Sequence, residues 1–114
     1  MTEKKSNVLS CCVAQAKVIV SLIDYAVDSV VSKTLLDKPA GTITLFAFDN
    51  GQALSEHTSP YDAVVQVLDG KARLTIGGQA VDAKAGELII MPAGIPHAVA
   101  AKERFKMLLT MIRS

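Results

Sequence analysis

The chain contains two histidines, His57 and His97, and each lies in a frame of glycine and proline residues. Imidazole gains and loses a proton close to neutral pH, and its neutral form is a common metal ligand. Glycine and proline mark tight turns, so each histidine is expected beside a turn. The chemistry open to the pair is therefore ligand binding, proton transfer or metal coordination.

The two frames resemble the two motifs of the cupin superfamily. The residues that match at the required spacing are Gly51, His57 and Gly70 in the first motif and Gly86, Pro92, Gly94 and His97 in the second. The resemblance covers residues 41–112 and is to small single-domain cupins of the conserved-barrel type. It implies an all-β fold, a single cupin β-barrel or jelly roll. It also implies that both motifs meet inside the barrel, where cupins hold a metal ion with three histidines and one glutamate.

Three positions depart from the cupin pattern. Ser59 stands where the family has its second histidine, and Ala63 stands where it has its glutamate. Ala101 replaces the asparagine of the second motif. A serine hydroxyl is an uncharged and weak metal ligand, and alanine is none. The candidate metal ligands are therefore His57 and His97, and the expected cofactor is a weakly bound divalent ion or none.

Four residues near the vacant positions are candidate replacements for the missing ligands: Glu56, Tyr61, Asp62 and Met91. Asp62 and Glu56 are each one residue away from a ligand position. On a strand, a one-residue offset directs a side chain to the opposite face unless a bulge intervenes. Tyr61 follows Pro60 in a turn, where its phenol can reach the cavity mouth, and Met91 precedes the proline of the second motif.

The pair of histidines predicts a ligand cavity, with His57, Ser59, Tyr61 and His97 as its ligand-binding residues. The rest of the wall is expected to be apolar, as is usual in small-molecule pockets. The predicted wall residues are Phe46, Phe48, Val65, Val67 and Leu109. No catalytic residue is predicted.

Three functions fit such a site, and the sequence leaves open whether the protein is an enzyme. The preferred interpretation is a cupin that binds a small uncharged or anionic molecule, because the motif frame is intact while metal ligands are missing. The first alternative is a metal-dependent enzyme of oxygenase or isomerase type with an incomplete two-histidine site. The second alternative is a dimerisation or interaction module.

Composition restricts the partners of the chain. Its 114 residues are expected to form one domain, and 12 Lys+Arg against 11 Asp+Glu give a formal net charge of +1. Nucleic acid is not an expected partner, because its binding depends on clustered positive charge. Hydrophobic residues make up 50% of the chain, which predicts an apolar surface that is paired in a homodimer.

Residues 1–26 are predicted to form an N-terminal segment that packs on the barrel or exchanges with a partner subunit, and residues 27–114 to form the barrel. Lys4 and Lys5 precede an apolar stretch that is too polar for an export signal, and no span is long enough for a membrane helix. A cytoplasmic location and no membrane partner are therefore expected. Adjacent Cys11 and Cys12 are expected to be reduced thiols, because a disulfide between neighbours is strained.

Runs of β-forming residues separated by turn residues predict a sandwich or barrel. The predicted strands are residues 29–36, 42–48, 63–68, 72–76, 88–91 and 105–112. Asp69-Gly70 and Gly77-Gly78 are predicted hairpin turns. The strand 42–48 is apolar on both faces, so a partner or covering segment is expected over its outer face. Residues 18–23 fit either a strand or a turn-rich helix.

Overall fold

The computed structural model describes residues 7–113, which form nine β-strands and two short 3₁₀ turns. The strands are β1 (Asn7–Val8), β2 (Val30–Lys38), β3 (Gly41–Phe48), β4 (Ala53–His57), β5 (Asp62–Ile76), β6 (Gln79–Lys84), β7 (Leu88–Met91), β8 (His97–Ala100) and β9 (Phe105–Ile112). The 3₁₀ turns are Ser10–Cys12 and Ile19–Ser21. The predicted all-β class is confirmed. The sequence did not predict β1, β4 and β8, because these strands are short and contain few large apolar residues, and it implied β6 only through the hairpin at Gly77-Gly78.

The strands form two antiparallel layers that share β5. The first sheet has the order β1-β2-β3-β9-β5-β7, and the second has the order β4-β8-β5-β6. The first part of β5, up to Gly70, pairs with β7 and β9, and its second part pairs with β6 and β8. This arrangement encloses an interior between the two sheets, as in a jelly roll.

The predicted hairpin at Asp69-Gly70 is wrong, because β5 continues through both residues. The register with β9 shifts between Val67 and Asp69, which marks a bulge where the strand passes from one sheet to the other. Gly70 has φ +72°, and a Cβ atom there would collide with the backbone carbonyl of Arg104. Gly70 therefore allows strand β5 to bend, and it does not form a hairpin turn. The predicted hairpin at Gly77-Gly78 is confirmed, since it joins β5 to β6.

The core lies between the two sheets and is built from residues that alternate inward along the strands. The rings of Phe48 and Phe105 stack with centroids 4.6 Å apart, and both residues are fully buried. Aliphatic and methionine side chains surround this pair, among them Val65, Leu74 and Met107. Truncating a buried phenylalanine to alanine costs about 3–5 kcal/mol, so this stack is a principal contributor to the stability of the barrel.

The outer face of the first sheet is partly covered by residues of the N-terminal segment. Ile23 packs with Leu45 and Ala47 of β3 in a second buried cluster, which includes the 3₁₀ turn at Ile19. The sequence predicted a cover over the outer face of strand 42–48, which is β3 in the structure. The N-terminal segment of the same chain provides part of that cover. The run 18–23 contains a 3₁₀ turn rather than a strand. Residues 1–6 lie outside the described part, and exchange of this segment with a partner subunit stays a prediction.

Polar contacts anchor this covering segment to the barrel. The Tyr25 hydroxyl donates a hydrogen bond to Asp69 at 2.6 Å, and burial followed by this bond raises the pKa of Tyr25. The guanidinium carbon of Arg104 and Nζ of Lys106 lie 4.6 and 5.0 Å from the centre of the Tyr25 ring. Nζ of Lys106 also donates to the carbonyl of Val20 at 2.6 Å. The amine of this nearly buried lysine thus has both a hydrogen-bond acceptor and an aromatic face.

No helix in residues 7–113 is long and apolar enough to cross a membrane.

Asp49 joins the turn before β2 to the loop before β9. Its carboxylate accepts hydrogen bonds from the backbone N–H of Asp28 at 2.8 Å and from Nη2 of Arg104 at 2.9 Å. Asp28 has φ +54°, a left-handed conformation that is uncommon outside glycine, so the bond to Asp49 helps to hold it. The hydrogen bonds from Asp28 and then Arg104 lower the pKa of Asp49.

We expect Asp49→Asn to lower the melting temperature at neutral pH, because an amide oxygen is a weaker acceptor than a carboxylate. The folded-state pKa of Asp49 lies below the unfolded value of about 3.9. Its stabilising contribution is therefore complete above that value and is lost as the pH falls through the lower folded pKa. Thermal melts down to about pH 2 should show a smaller loss of stability for Asp49→Asn than for the wild type. The exposed Asp24→Asn is the matched control and should behave as wild type; identical curves for both variants would contradict this role.

Candidate functional site

His57 and His97 face each other across two neighbouring strands. His57 is the last residue of β4 and His97 is the first of β8, and the antiparallel register pairs them. Their ring centroids are 4.4 Å apart, and the ring planes are inclined by 70°. The register shifts between Leu54 and His57, which marks a bulge that redirects the end of β4. The histidines of the two sequence frames therefore meet in one site.

Backbone carbonyls determine which ring nitrogen of each histidine carries a proton. Nδ1 of His57 lies 2.8 Å from the carbonyl oxygen of Ser55, and Nδ1 of His97 lies 3.2 Å from that of Ile95. A carbonyl oxygen only accepts, so both Nδ1 atoms must donate. The two Nε2 atoms then carry lone pairs when the rings are neutral, and they are 3.1 Å apart. A proton or a cation between them is needed to make this contact favourable.

The two rings differ in their access to solvent. His97 is only 5% exposed, whereas His57 is exposed. His97 therefore forms the inner part of the site and His57 its mouth.

The histidines border a cavity of about 110 Å³ in the barrel interior. The residues that line it are Leu54, His57, Ser59, Ala63, Met91, His97, Val99, Met107, Leu109 and Met111. Apart from the two imidazoles and the Ser59 hydroxyl, these side chains are apolar. The cavity is thus a small hydrophobic chamber whose polar groups are gathered at one end, a composition suited to a small ligand with one polar group.

The vacant positions of the first motif also face this chamber. Ser59 and Ala63 both line the cavity, and Ala63 is 3% exposed. The Ser59 hydroxyl accepts a hydrogen bond from the backbone N–H of Tyr61 at 3.1 Å, and the Ser59 carbonyl accepts one from Gly94 at 2.8 Å. The second of these bonds ties the loop after β4 to the second motif. Positions 59 and 63 therefore have the inward placement that the motif spacing implies.

The other predicted substitutes take up different positions. The Tyr61 ring does not line the cavity and lies 5.9 Å from the guanidinium carbon of Arg113. Asp62 is exposed, pairs in register with Ile112, and accepts a hydrogen bond from the backbone N–H of Ala93 at 2.8 Å. Glu56 is also exposed and outside the cavity wall. Met91 is the one candidate substitute that lines the cavity.

The wall of the cavity differs from the predicted one. Of the five predicted wall residues only Leu109 lines the chamber, because Phe46, Phe48, Val65 and Val67 lie elsewhere in or beside the core. The wall residues that the sequence did not single out include Met107 and Met111. The period-two alternation of β9, in which residues 107, 109 and 111 share a face, is the signal that would have found them.

Comparisons with known proteins agree with this architecture. The family model described as "Cupin domain" matches residues 44–112. A conserved protein of unknown function from Streptococcus pyogenes is 38% identical over 89% of this chain and 89% of its own, with a TM-score of 0.85. A cupin superfamily protein from Desulfitobacterium hafniense is 32% identical over 84% of this chain and 88% of its own, with a TM-score of 0.81. None of the curated proteins compared with the chain matches it.

The chain therefore belongs to the cupin family, and the fold is the single-domain barrel that the two sequence frames indicate. Cupins generally bind small molecules or metal ions inside this barrel. A shared fold does not define a reaction, so the chemistry of this chain has to be inferred from its own cavity.

The donors in the cavity do not fit the ion that a complete cupin motif holds. No group of three or more His, Cys, Asp or Glu side chains suited to a metal ion is found in residues 7–113. The cavity wall offers two imidazole nitrogens and no carboxylate. Hard divalent ions prefer oxygen ligands, and carboxylates in particular, so iron or manganese would be held here by too few suitable groups.

We expect the double variant Ser59→His with Ala63→Glu to gain a tight divalent-metal site, because both changes place ligands on the wall that already carries the histidines. Without metal this variant should be less stable than wild type, since a larger and charged side chain enters a packed interior. Saturating zinc, manganese or iron should then raise its melting temperature, with a gain of about 2.7 kcal/mol at 100 times the Kd. The single variants are the controls. If the double variant folds but none of the three metals changes its melting temperature, the inward placement of positions 59 and 63 is contradicted.

Proposed function

We propose that the protein is a cytoplasmic cupin that binds a small molecule between His57 and His97. The observation that carries the proposal is the convergence of the two Nε2 atoms at one end of an apolar cavity. Two acceptors that face each other without a shared donor are unfavourable, and a ligand that supplies the donor removes this penalty. The apolar remainder of the wall favours a hydrocarbon group on the same ligand.

The cavity volume restricts the size of this ligand. A protein cavity of about 150 Å³ accommodates benzene, which has six non-hydrogen atoms. The cavity here measures about 110 Å³. By proportion it accommodates a ligand of about four or five non-hydrogen atoms. Sugars and aromatic acids are larger than this chamber, so they are not the proposed ligands.

Short carboxylic acids and short alcohols combine the required size with the required donor. An alcohol donates its hydroxyl proton in a hydrogen bond to Nε2. A carboxylic acid transfers its proton to one Nε2 and leaves a carboxylate beside an imidazolium. This ion pair has no net charge and forms charge-assisted hydrogen bonds, which offset much of the cost of desolvation.

We expect acetate, propionate or propanol to raise the melting temperature in the presence of a chelator, whereas benzoate, which is too large for the cavity, should not. Binding at 100 times the Kd stabilises the folded state by about 2.7 kcal/mol, which corresponds to several degrees. His97→Ala removes a polar anchor and should abolish the shift. Ala63→Val fills the cavity and should weaken binding, while Ala80→Val on the exposed strand β6 is the matched control and should bind as wild type.

Two results would contradict this proposal. The first is the absence of a shift with every small ligand in wild type, which would favour an interaction module without a ligand. The second is a shift that persists in His97→Ala, which would place the ligand elsewhere. If wild type and His97→Ala are also equally stable, the histidines are remnants of the motif that neither bind a ligand nor stabilise the barrel.

A metal-dependent enzyme of oxygenase or isomerase type is the second candidate function. The observation that favours it is that the converging lone pairs come from both cupin motifs, as the ligands of a single ion would. Metal analysis of protein purified without a chelator or a nickel column tests it. Stoichiometric iron or manganese together with turnover would favour the enzyme over the binding protein.

A row of mostly apolar residues crosses the outer face of the first sheet beyond the area that the N-terminal segment covers. Register pairs link its members across six adjacent strands: Val8, Leu36, Ile43, Thr110, Val64 and Ile90. Val8 is 48% exposed and Ile90 is 59% exposed. Leu88 and Ile112 lie in the two flanking rows and are similarly exposed. A continuous apolar band on a sheet face is typical of a protein interface.

We propose that a second copy of the chain covers this band and forms a homodimer. The flanking row that contains Ile112 has Lys38 at one end and Asp62 at the other. A two-fold axis parallel to the strands reverses the strand order of the second copy. Each Lys38 then comes close to the Asp62 of the other copy, so the charges on the face are self-complementary. Gly41 lies beside a groove of about 210 Å³ in the same face, which is large enough for an aliphatic side chain of the second copy.

We expect light scattering on a size-exclusion column at micromolar concentration to give twice the mass of one chain. Ile90→Lys should shift the protein to monomers, because it places a charge at the end of the apolar band, where the reversed strand order brings Ile90 against the Val8 of the other copy. Val81→Lys, at a residue that is 39% exposed on β6 of the other sheet, is the matched control and should remain a dimer. A wild-type monomer, or a dimer that is unaffected by Ile90→Lys, would contradict the proposed surface.

A further inference from the structure

Methionines are concentrated at the cavity. The chain has four methionines, and Met91, Met107 and Met111 all line the chamber beside the histidines. Met91 and Met107 are buried, at 3% and 1% exposure. Methionine is a flexible filler of irregular cores, and it is also a soft thioether ligand. The positions of the cavity methionines relative to the histidines and to Ala63 distinguish between packing and metal binding.

Two of these methionines flank the position at which the cupin pattern has its glutamate. Ala63 on β5 is in register with Met91 on β7 and with Met111 on β9, so the three residues form one inward-facing row. Neighbours across strands have Cβ atoms about 4.5–5.5 Å apart, and a methionine side chain has three rotatable bonds with which to cross that distance. The space left by a missing carboxylate is thus bordered by two methionine residues, each of which carries a thioether sulfur.

The distance between the imidazoles matches the spacing of two ligands on one ion. Two nitrogens bound to a tetrahedral ion at about 2.05 Å are about 3.3 Å apart. The Nε2 atoms are 3.1 Å apart, and both Nδ1 protons are directed to backbone carbonyls. Ligand histidines in metal sites are commonly oriented by this kind of hydrogen bond from the other ring nitrogen. The pair therefore needs a change of only a few tenths of an ångström to hold an ion.

The charge of the donors selects the kind of ion. Imidazole and thioether are neutral, and no carboxylate or thiolate lines the cavity to compensate a positive charge. The desolvation cost of an ion rises with the square of its charge, so a divalent ion costs about four times as much as a monovalent ion of equal radius. Thioether ligands select soft ions, and Cu(I) is the soft monovalent ion that imidazole also binds.

We propose that the cavity binds Cu(I) through Nε2 of His57 and His97 and the thioether sulfurs of Met91 and Met111. This proposal rests on the inward direction of the two histidines, as does the proposed function, but it does not depend on an organic ligand. It accounts for the replacement of a hard carboxylate at position 63 by two soft donors from the neighbouring strands. Binding requires no change in the oxidation state of the copper.

The test measures binding of Cu(I) itself under anaerobic, reducing conditions, in competition with a chromophoric Cu(I) chelator. The free thiols of Cys11 and Cys12 are 3.9 Å apart near the surface and would also bind copper, so all measurements use the variant with Cys11→Ser and Cys12→Ser. We expect one Cu(I) per chain, and no comparable retention of Zn(II) or Mn(II). X-ray absorption at the copper edge should show both nitrogen and sulfur neighbours.

Variants in the same cysteine-free protein separate metal binding from packing. Met91→Leu with Met111→Leu conserves volume, so the fold should persist. This variant should lose the sulfur signal and bind Cu(I) at least tenfold more weakly. Met107→Leu, at a cavity methionine outside the row of Ala63, is the matched control and should retain both the affinity and the signal. His97→Ala should abolish binding.

Four outcomes would overturn the proposal. They are no stoichiometric Cu(I), a site with nitrogen but no sulfur neighbours, an affinity that is unchanged by the double methionine variant, and tighter binding of Zn(II) than of Cu(I). Each of these results is independent of the rise in melting temperature that short acids and alcohols are expected to cause in the presence of a chelator. The Cu(I) proposal and the organic-ligand proposal can therefore be contradicted separately.

Discussion

The site depends on two hydrogen bonds that determine the direction of the imidazole rings. Ser55 and Ile95 each lie two residues before a histidine, and their carbonyls accept from Nδ1. This arrangement leaves only the Nε2 lone pairs for the cavity, and the pairing of β4 with β8 brings those atoms within 3.1 Å of each other. Two neutral acceptors at this distance are unfavourable. The geometry therefore supports our proposals of a bound acid, alcohol or metal cation, each of which supplies a proton or a positive charge between the two Nε2 atoms.

Strand β5 connects this constraint to the rest of the barrel. Its first part contributes Ala63 to the cavity wall and Val65 to the core, and its second part pairs with β8, the strand that begins at His97. Gly70 makes the passage between the two sheets possible, because its left-handed conformation and missing Cβ atom let the strand bend against the carbonyl of Arg104. A side chain at this position would disturb both the closure of the barrel and the support of the histidine pair.

The barrel and the meeting of His57 with His97 were predictable because the glycines, the proline and the histidines occur at the spacing of the two cupin motifs, and the resemblance to that family implies that both motifs meet inside a barrel. The remaining features depend on contacts between distant strands. Asp69-Gly70 has the composition of a hairpin, yet its glycine is needed for a bend that depends on Arg104. Tyr61 follows a proline in a turn, yet its ring lies beside Arg113. The methionines flank Ala63 only through the register of β5 with β7 and β9, and no local pattern in the sequence records that register.

The central claim is that both imidazole rings carry their protons on Nδ1 and direct Nε2 toward each other. Long-range proton–nitrogen NMR correlations of ¹⁵N-labelled histidine side chains, recorded on ligand-free protein, test this claim most directly. We predict that both Nδ1 atoms are protonated and that the two Nε2 atoms are either unprotonated or share a single proton. A ring with a protonated Nε2 and an unprotonated Nδ1, at either His57 or His97, would contradict the account, because that ring could not donate to its backbone carbonyl.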